Sequence, residues 1–283
     1  MAKTRDTDRS QVVLVTGAAA GIGAAIATLA IARGHRVLLA DIDKQTLDAT
    51  IARLGGNAAG RVLDIRDPAG WAAAFDAAEA VFGPVDVLVN NAGITHTGNA
   101  RDLSLRQHRD IIEVNLLGTI TGVHTALERM NNHGGGHIIT VCSMTSFLPL
   151  PGYSSYGASK HAVRAFHHTV ALEERKGPVD FTIIHPPSTR TKMLEQEMAD
   201  PTSAIAFAEK SIAPEQVAKV VVDAIVSKPV EVVFPPLGGR FQRAAGVFPR
   251  LMHWVIPRVE AKGLRTRQKL LAKGGIHTEG LPL

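Results

Sequence analysis

Cysteine is nearly absent: the chain of 283 residues has one, Cys142. A single thiol excludes an internal disulfide and a cysteine metal cluster, and it suits a reducing, cytoplasmic setting. No uninterrupted apolar run nears the roughly 18 residues of a membrane-spanning helix, so no spanning segment is expected. The opening MAKTRDTDRSQ is polar and charged, so no secretory signal is expected either. The histidines, His167-His168 included, lack a metal-ligand spacing, and no metal is expected. No repeat, low-complexity tract or linker precedes Pro235. What is present, 45% apolar and 20% charged residues, is the composition of a globular domain with a full core.

The formal charge of +5 is unevenly placed. From Arg240 to Lys273 there are nine Lys and Arg against Glu260 alone, so the rest of the chain is net acidic. The basic character belongs to the C-terminal stretch. No nucleic-acid-binding motif accompanies it.

Residues 11–16, QVVLVT, form an apolar run of the kind buried on both faces of a parallel sheet. A glycine turn, Thr16-Gly17-Ala18-Ala19-Ala20-Gly21-Ile22-Gly23, and an alanine-rich helix to about Arg33 follow. Strand, glycine turn and helix make the phosphate-binding start of a dinucleotide fold, because the turn lets backbone approach a pyrophosphate and the helix N-terminus offers free N–H groups. The spacing is G-x-x-x-G-x-G rather than G-x-G-x-x-G. A second strand, His35 to Ala40, ends at Asp41, near the offset at which a carboxylate meets the adenosine ribose. Asp41 or Asp43 can instead cap the next helix, and capping by Asp43 would leave Asp41 for the ribose. No Lys or Arg lies in the Gly17–Gly23 turn to attract a 2′-phosphate, which favours NAD over NADP.

Further strands are expected at Arg61–Leu63, Val85–Val89, the run from His137 to Cys142, Val179–Ile184 and Val230–Phe234. Asp64 follows the first of these, and Asn90-Asn91-Ala92-Gly93 the second. One long helix is expected from about Leu105 to Met130, with Asn115 inside it, a disfavoured position that suggests a buried, bonded amide. Residues 188–212 read as irregular or weakly helical and suit a substrate lid. The alternation predicts a single-domain, Rossmann-like, doubly wound parallel α/β sheet of about seven strands. Residues 1–10 form a polar tail, 11–234 the dinucleotide-binding and catalytic domain, and 235–283 a basic, apolar-interleaved extension.

The chemistry centres on Ser143 to Lys160. Tyr156 and Lys160, four residues apart, share a face if a helix begins here. An ammonium beside a phenol favours the phenolate, so the Tyr156 pKa is expected to fall and make it an acid/base. Ser143 follows a strand and points into the crevice where open α/β sheets bind ligands. Cys142 reads as a small buried strand residue, with no base near it in sequence.

Four motifs in register resemble the classical short-chain dehydrogenase/reductase family over about Val12 to Phe234: T-G-x-x-x-G-I-G at Thr16–Gly23, N-N-A-G at Asn90–Gly93, the serine thirteen residues before Tyr156, and Y-x-A-S-K at Tyr156–Lys160. The resemblance implies Tyr156 as catalytic acid/base, Lys160 on the nicotinamide ribose, Ser143 on the substrate oxygen and Asn115 holding a relay water. It implies cofactor contacts at Gly17, Gly21, Ile22, Gly23 and Asp41. Asp64 and Ile65 would serve the adenine, Asn91 the adenosine ribose and Thr191 the carboxamide. It also implies a homo-oligomer. Pro187 stands where the family usually has glycine.

In the extension, Phe241, Val247, Phe248, Leu251, Met252, Trp254, Val255 and Ile256 interleave with arginines, and Pro249 and Pro257 are expected to break any long helix. Packing over the substrate pocket or a subunit neighbour is preferred to contact with anionic lipid. With Met144, Met193, Leu194 and Met198 this points to an apolar, lipid-like secondary alcohol or ketone as substrate. The alternatives are a non-catalytic NAD-binding regulator and a membrane-surface protein that works through its tail.

Overall fold

The computed structural model describes residues 10–234 and 249–276. Phe241, Val247 and Phe248, with the polar N-terminal tail up to Arg9, lie outside the described residues.

Seven parallel strands form one sheet in the order β3-β2-β1-β4-β5-β6-β7. They are β1 (Val12–Thr16), β2 (Arg36–Asp41), β3 (Ala58–Val62), β4 (Val87–Asn90), β5 (Gly136–Val141), β6 (Val179–His185) and β7 (Glu231–Val233). The order reverses between β1 and β4, which opens a crevice at their carboxyl ends. Helices α1 (Gly21–Ala32) and α8 (Pro214–Ser227) pack together on one face. On the other lie α3 (Pro68–Phe82), α5 (Thr119–Asn132) and α6 (Ser154–Glu173). The alternating side chains of β1 divide accordingly, Val13 and Val15 to one core and Val12 and Leu14 to the other. Helix α2 (Lys44–Leu54) is capped by Asp43, which accepts from Thr46 N at 3.1 Å, and Asp67 caps α3 with Pro68 in its first turn.

Four expectations change. The third strand begins and ends earlier than Arg61–Leu63, because it is an edge strand whose Gly60, Arg61 and Val62 are exposed and carry no burial pattern. The fourth is shifted from Val85–Val89, since Asn90 continues the ladder opposite Thr140. The long helix is split into α4 (Leu105–Ile112), a π-helical turn at Glu113–Gly118, and α5. The widened turn aims the Asn115 amide at the Ile94 backbone rather than along the helix axis.

The fourth change is in the extension, where α9 (Pro249–Ala272) runs 24 residues straight through Pro257. An interior proline costs about 3 kcal/mol of helix stability, but α9 is anchored on both sides of it. Met252 packs on Leu148, Leu270 packs with Leu194, Met198 and Phe207, and Arg267 Nε donates to Met198 O at 2.9 Å. The segment between β6 and α8, expected to serve as a lid, holds α7 (Lys192–Ala199) and a 3-10 turn at Pro201–Phe207. Its ends are pinned, Ile212 N donating to Ser188 O at 3.0 Å and Arg190 N to Ile212 O at 2.9 Å. Among the described residues no helix is long and apolar enough to cross a membrane.

Candidate active site

The glycine turn is shaped by close approach. Gly17 has φ +64°, and a Cβ on Gly23 would stand 2.1 Å from Gly17 O. Only glycine at both positions lets α1 start this close to β1. The start of α1 carries no side-chain cap and no acidic residue, so its N–H groups are left to an anion. Asn91 locks the turn in place: its Nδ2 donates to Thr16 O at 2.9 Å and Gly17 O at 3.3 Å, while its N–H donates to Thr16 Oγ1 at 3.0 Å. Thr191, at the start of α7, lies against the turn, with its Cγ2 3.1 Å from where a Gly21 Cβ would be.

Asp41 ends β2 and accepts from Ala19 N and Asp43 N, each at 3.0 Å, while Asp43 caps α2. Asp41 is thus not a cap, though its carboxylate already braces two backbone amides. Asp64 forms a forked ion pair with Arg66, with Oδ2 to Nη2 at 2.5 Å, and the hydrogen bonds from Arg66 hold its carboxyl below the usual range. Ile65 is buried, its carbonyl accepting from Trp71 Nε1 at 2.8 Å and its side chain under Gly118.

Ser143, Tyr156 and Lys160 converge on one cleft of about 1560 Å³, open solvent included, which Ile22 and Thr191 also line. Ser143 follows β5 and is held by its carbonyl, which accepts from Ser146 Oγ at 2.7 Å and faces His185 Nδ1 at 3.1 Å. Its Oγ accepts from Thr145 N at 3.2 Å, and its hydroxyl lies close enough to the Tyr156 phenol to lower that group's pKa. Lys160 is 5% exposed, its Nζ 5.6 Å from the Tyr156 ring centroid. Asn115, fully buried, accepts from Ile94 N at 2.8 Å and donates to Ile94 O at 2.9 Å and Ser159 Oγ at 3.2 Å. A Cβ on Gly93 would touch both Asn115 Oδ1 (3.1 Å) and Lys160 Nζ (3.5 Å), so the amide and the ammonium meet there.

The expected fall of the Tyr156 pKa is not found. Burial raises it above the ordinary phenol value, the negative charge of Glu197 adds to that, and the Ser143 hydrogen bond only partly offsets the two. Burial also lowers the pKa of Lys160, whose Nζ stands 5.6 Å from the Tyr156 ring centroid. Spacing on a helix fixed the neighbours but carried no information on desolvation.

Two residues escaped the sequence reading. His185, fully buried at the end of β6, has Nε2 3.0 Å from Glu231 Oε1 and lies beside the Cys142 thiol. So a base does adjoin Cys142: burial acts most strongly and upward, yet the His185 bond and charge outweigh it and lower the thiol. Cys142 is buried in the wall of the cleft, its Sγ donating to Lys160 O at 3.4 Å. The second is Glu197, 8% exposed in the cleft wall. Burial pushes its carboxyl up to about 7, with the neighbouring Tyr153 hydroxyl acting the other way. The signal was there, since Glu197 falls between Leu194 and Met198 on the apolar face of α7.

The rest of the cleft is apolar. Leu148, Met193 and Leu194 line it, and α9 roofs it with Met252, Val255, Ile256 and Val259, one stripe at helical spacing. The basic side chains Arg250, Arg258 and Lys262 and the 65%-exposed Trp254 are on its outer side. The expectation that the extension packs over the pocket holds for this helix.

The profile of the short chain dehydrogenase family matches residues 11–202. The "3-alpha-(or 20-beta)-hydroxysteroid dehydrogenase" of Mycobacterium tuberculosis (strain CDC 1551 / Oshkosh) is 36% identical over 185 residues, 65% of this chain and 71% of that one. The "NADP-dependent (R)-specific alcohol dehydrogenase" of Lentilactobacillus kefiri is 34% identical over 196 residues, 67% and 78% of the two chains. Among solved structures, the 3-ketoacyl-(acyl-carrier-protein) reductase of Brucella melitensis complexed with NADH superposes with a TM-score of 0.73 at 26% identity, covering 79% of this chain and 96% of that one.

Proposed function

The chain belongs to the short chain dehydrogenase family, and from that premise we propose that it transfers a hydride between NAD and an apolar, lipid-like secondary alcohol or ketone, with Tyr156 as acid/base. The observation that carries the reading is the convergence of Ser143, Tyr156 and Lys160 at one end of a cleft otherwise walled by apolar side chains and roofed by α9. The relative named for hydroxysteroids points to the same kind of substrate.

The cofactor fits the residues present. The uncapped start of α1 and the glycines that a Cβ would obstruct make a cradle for a pyrophosphate. Asp41 at the end of β2, with no cation in the turn, favours NAD. Bound there, NAD would supply the hydride acceptor.

The chain's own part is positioning and proton transfer. The Ser143 hydroxyl donates to the substrate oxygen and holds it against Tyr156. In oxidation, Tyr156 as phenolate takes the hydroxyl proton while the carbinol C–H bond gives up its electron pair as hydride; in reduction both run backwards. Lys160 keeps positive charge near the phenolate, and Asn115, braced on Ile94, closes the buried side of the ammonium. The high resting pKa of Tyr156 makes it a strong base once ionised and a poor acid when neutral, so oxidation accelerates as pH rises. The test is a panel of alcohols and ketones with both cofactors, including 2-decanol, a hydroxysteroid and small polar alcohols. Turnover of the apolar members with NAD is expected; equal or better turnover of the polar ones removes the substrate assignment.

A further inference from the structure

The cleft is not apolar throughout. On the side away from α9 it adjoins a second hollow, lined by Thr95, His96, Thr97, Gln107 and Gln196. Gly93, Met193 and Glu197 line both, so the Glu197 carboxyl stands in the partition between them. Every named residue of the second hollow except Gly93, Ile94 and Met193 can make a side-chain hydrogen bond.

Gln107 is already engaged, its Oε1 accepting from Ser104 N and Oγ at 2.9 Å each, but other polar groups around the two hollows lack partners. Thr95 Oγ1 is buried with no hydrogen-bond partner. The Tyr153 hydroxyl, on a residue 4% exposed, closes no bond of good geometry, although the Glu197 carboxyl and the Ser203 hydroxyl are beside it. Glu197 itself is 8% exposed, and burial and Tyr153 are what act on it; among the described residues no cation does. Buried polar atoms are ordinarily satisfied, and a carboxyl left in an apolar wall without a cation is costly. The backbone of α7 nonetheless holds it there, with Ser203 Oγ donating to Glu197 O. Of the three, Glu197 lines both hollows, Thr95 the second and Tyr153 the first, so a polar ligand group at the partition meets the carboxyl with one of the two hydroxyl-bearing residues on either side.

We propose that Glu197, with Tyr153 and Thr95, forms a second recognition point for the substrate, and that the substrate is therefore an apolar-bodied secondary alcohol or ketone carrying a further hydroxyl away from the reacting carbon. Glu197 accepts from that hydroxyl, and Thr95 or Tyr153 donates to its oxygen. The inference rests on the hydride-transfer reading of the same cleft and narrows its substrate class. A site built to bond a hydroxyl rejects the analogue without one far more strongly than an apolar pocket rejects an added methylene.

The test compares 2-decanol with decanediols that keep the 2-hydroxyl and carry the second at carbons 4 through 9. Turnover with NAD is measured by kcat/KM, and binding by calorimetry on the NADH-loaded protein. At least one diol is expected to exceed 2-decanol by about tenfold or more in both readouts, the worth of a buried hydrogen bond to a charged group. Glu197→Leu should remove that preference, and Glu197→Gln should leave part of it. If no diol binds better than 2-decanol, or if Glu197→Leu weakens diol and mono-alcohol by the same factor, the second recognition point is refuted. The hydride-transfer reading fails separately, if Tyr156→Phe still oxidises 2-decanol at the wild-type rate. Calorimetry decides the diol question whether or not turnover is seen.

Discussion

The sheet-side half of the cleft and its cover are built on opposite terms. On the sheet side, polar groups are spent on one another: Asn91 on the glycine turn, Asp41 on Ala19 and Asp43, Asn115 on Ile94, Asp64 on Arg66. In the cover, formed by the lid and α9, contacts are mainly apolar, and Glu197 lines the cleft with no cation acting on it among the described residues. The first half has its polar groups fixed by neighbouring protein atoms. The second offers surface and unspent hydrogen bonds to whatever lies against it. Cofactor affinity should therefore answer to the sheet side and substrate choice to the cover.

The same substitution made in both halves tests that division, since each glycine abuts a backbone oxygen. Gly23→Ala places a methyl 2.1 Å from Gly17 O. It should cost about 3 kcal/mol of stability and weaken NADH binding by about 100-fold or more, read by thermal unfolding and calorimetry. Gly263→Ala places one 2.0 Å from Ala204 O, where α9 meets the lid. It should lift α9 and raise KM for 2-decanol about tenfold, at about 1 kcal/mol of stability, with a smaller change in NADH affinity than in KM. A larger loss of NADH affinity from Gly263→Ala than from Gly23→Ala would erase the distinction.

Acidity sharpens it further. Glu197 has its folded pKa raised to about 7 from 4.5. The unfolded chain then binds fewer protons than the folded one in that range, so stability is highest below the unfolded value and declines as pH rises through about 7. The full penalty is on the order of 3 kcal/mol. Glu197→Gln carries no such charge, so its melting temperature should gain on the wild type between pH 5 and pH 8. Removing the negative charge also relieves Tyr156, and the rising limb of the oxidation rate should move to lower pH. A limb that stays in place would mean Glu197 does not act on the phenol. The smallest effect is expected at Asp41: Asp41→Ala should bring the NAD and NADP values of kcat/KM closer by about tenfold, and an unchanged ratio would remove Asp41 from cofactor choice.

The same contrast governs what could be read from the chain alone. The glycine turn, β1, the Asp43 cap and the Ser143–Tyr156–Lys160 set are local patterns, each specified within a few residues; the structure forms the first three and brings the last three side chains to one cleft. What escaped depends on distant contacts. Edge strand β3 has no buried face to give it a period. The π-turn exists because Asn115 reaches a loop 21 residues back. Helix α9 survives Pro257 through anchors on Leu148 and the lid. The direction of the Tyr156 shift follows from how much protein surrounds the phenol and from the charge of Glu197, 41 positions away, neither of which spacing within α6 can report.

The most direct test of the account is 2-decanol oxidation by wild type and Tyr156→Phe, followed by NADH formation at saturating NAD. The account predicts steady NADH formation by the wild type and a rate lower by about 10³-fold in the variant, within the range that general acid–base catalysis contributes. A variant that forms NADH as fast as the wild type would contradict it.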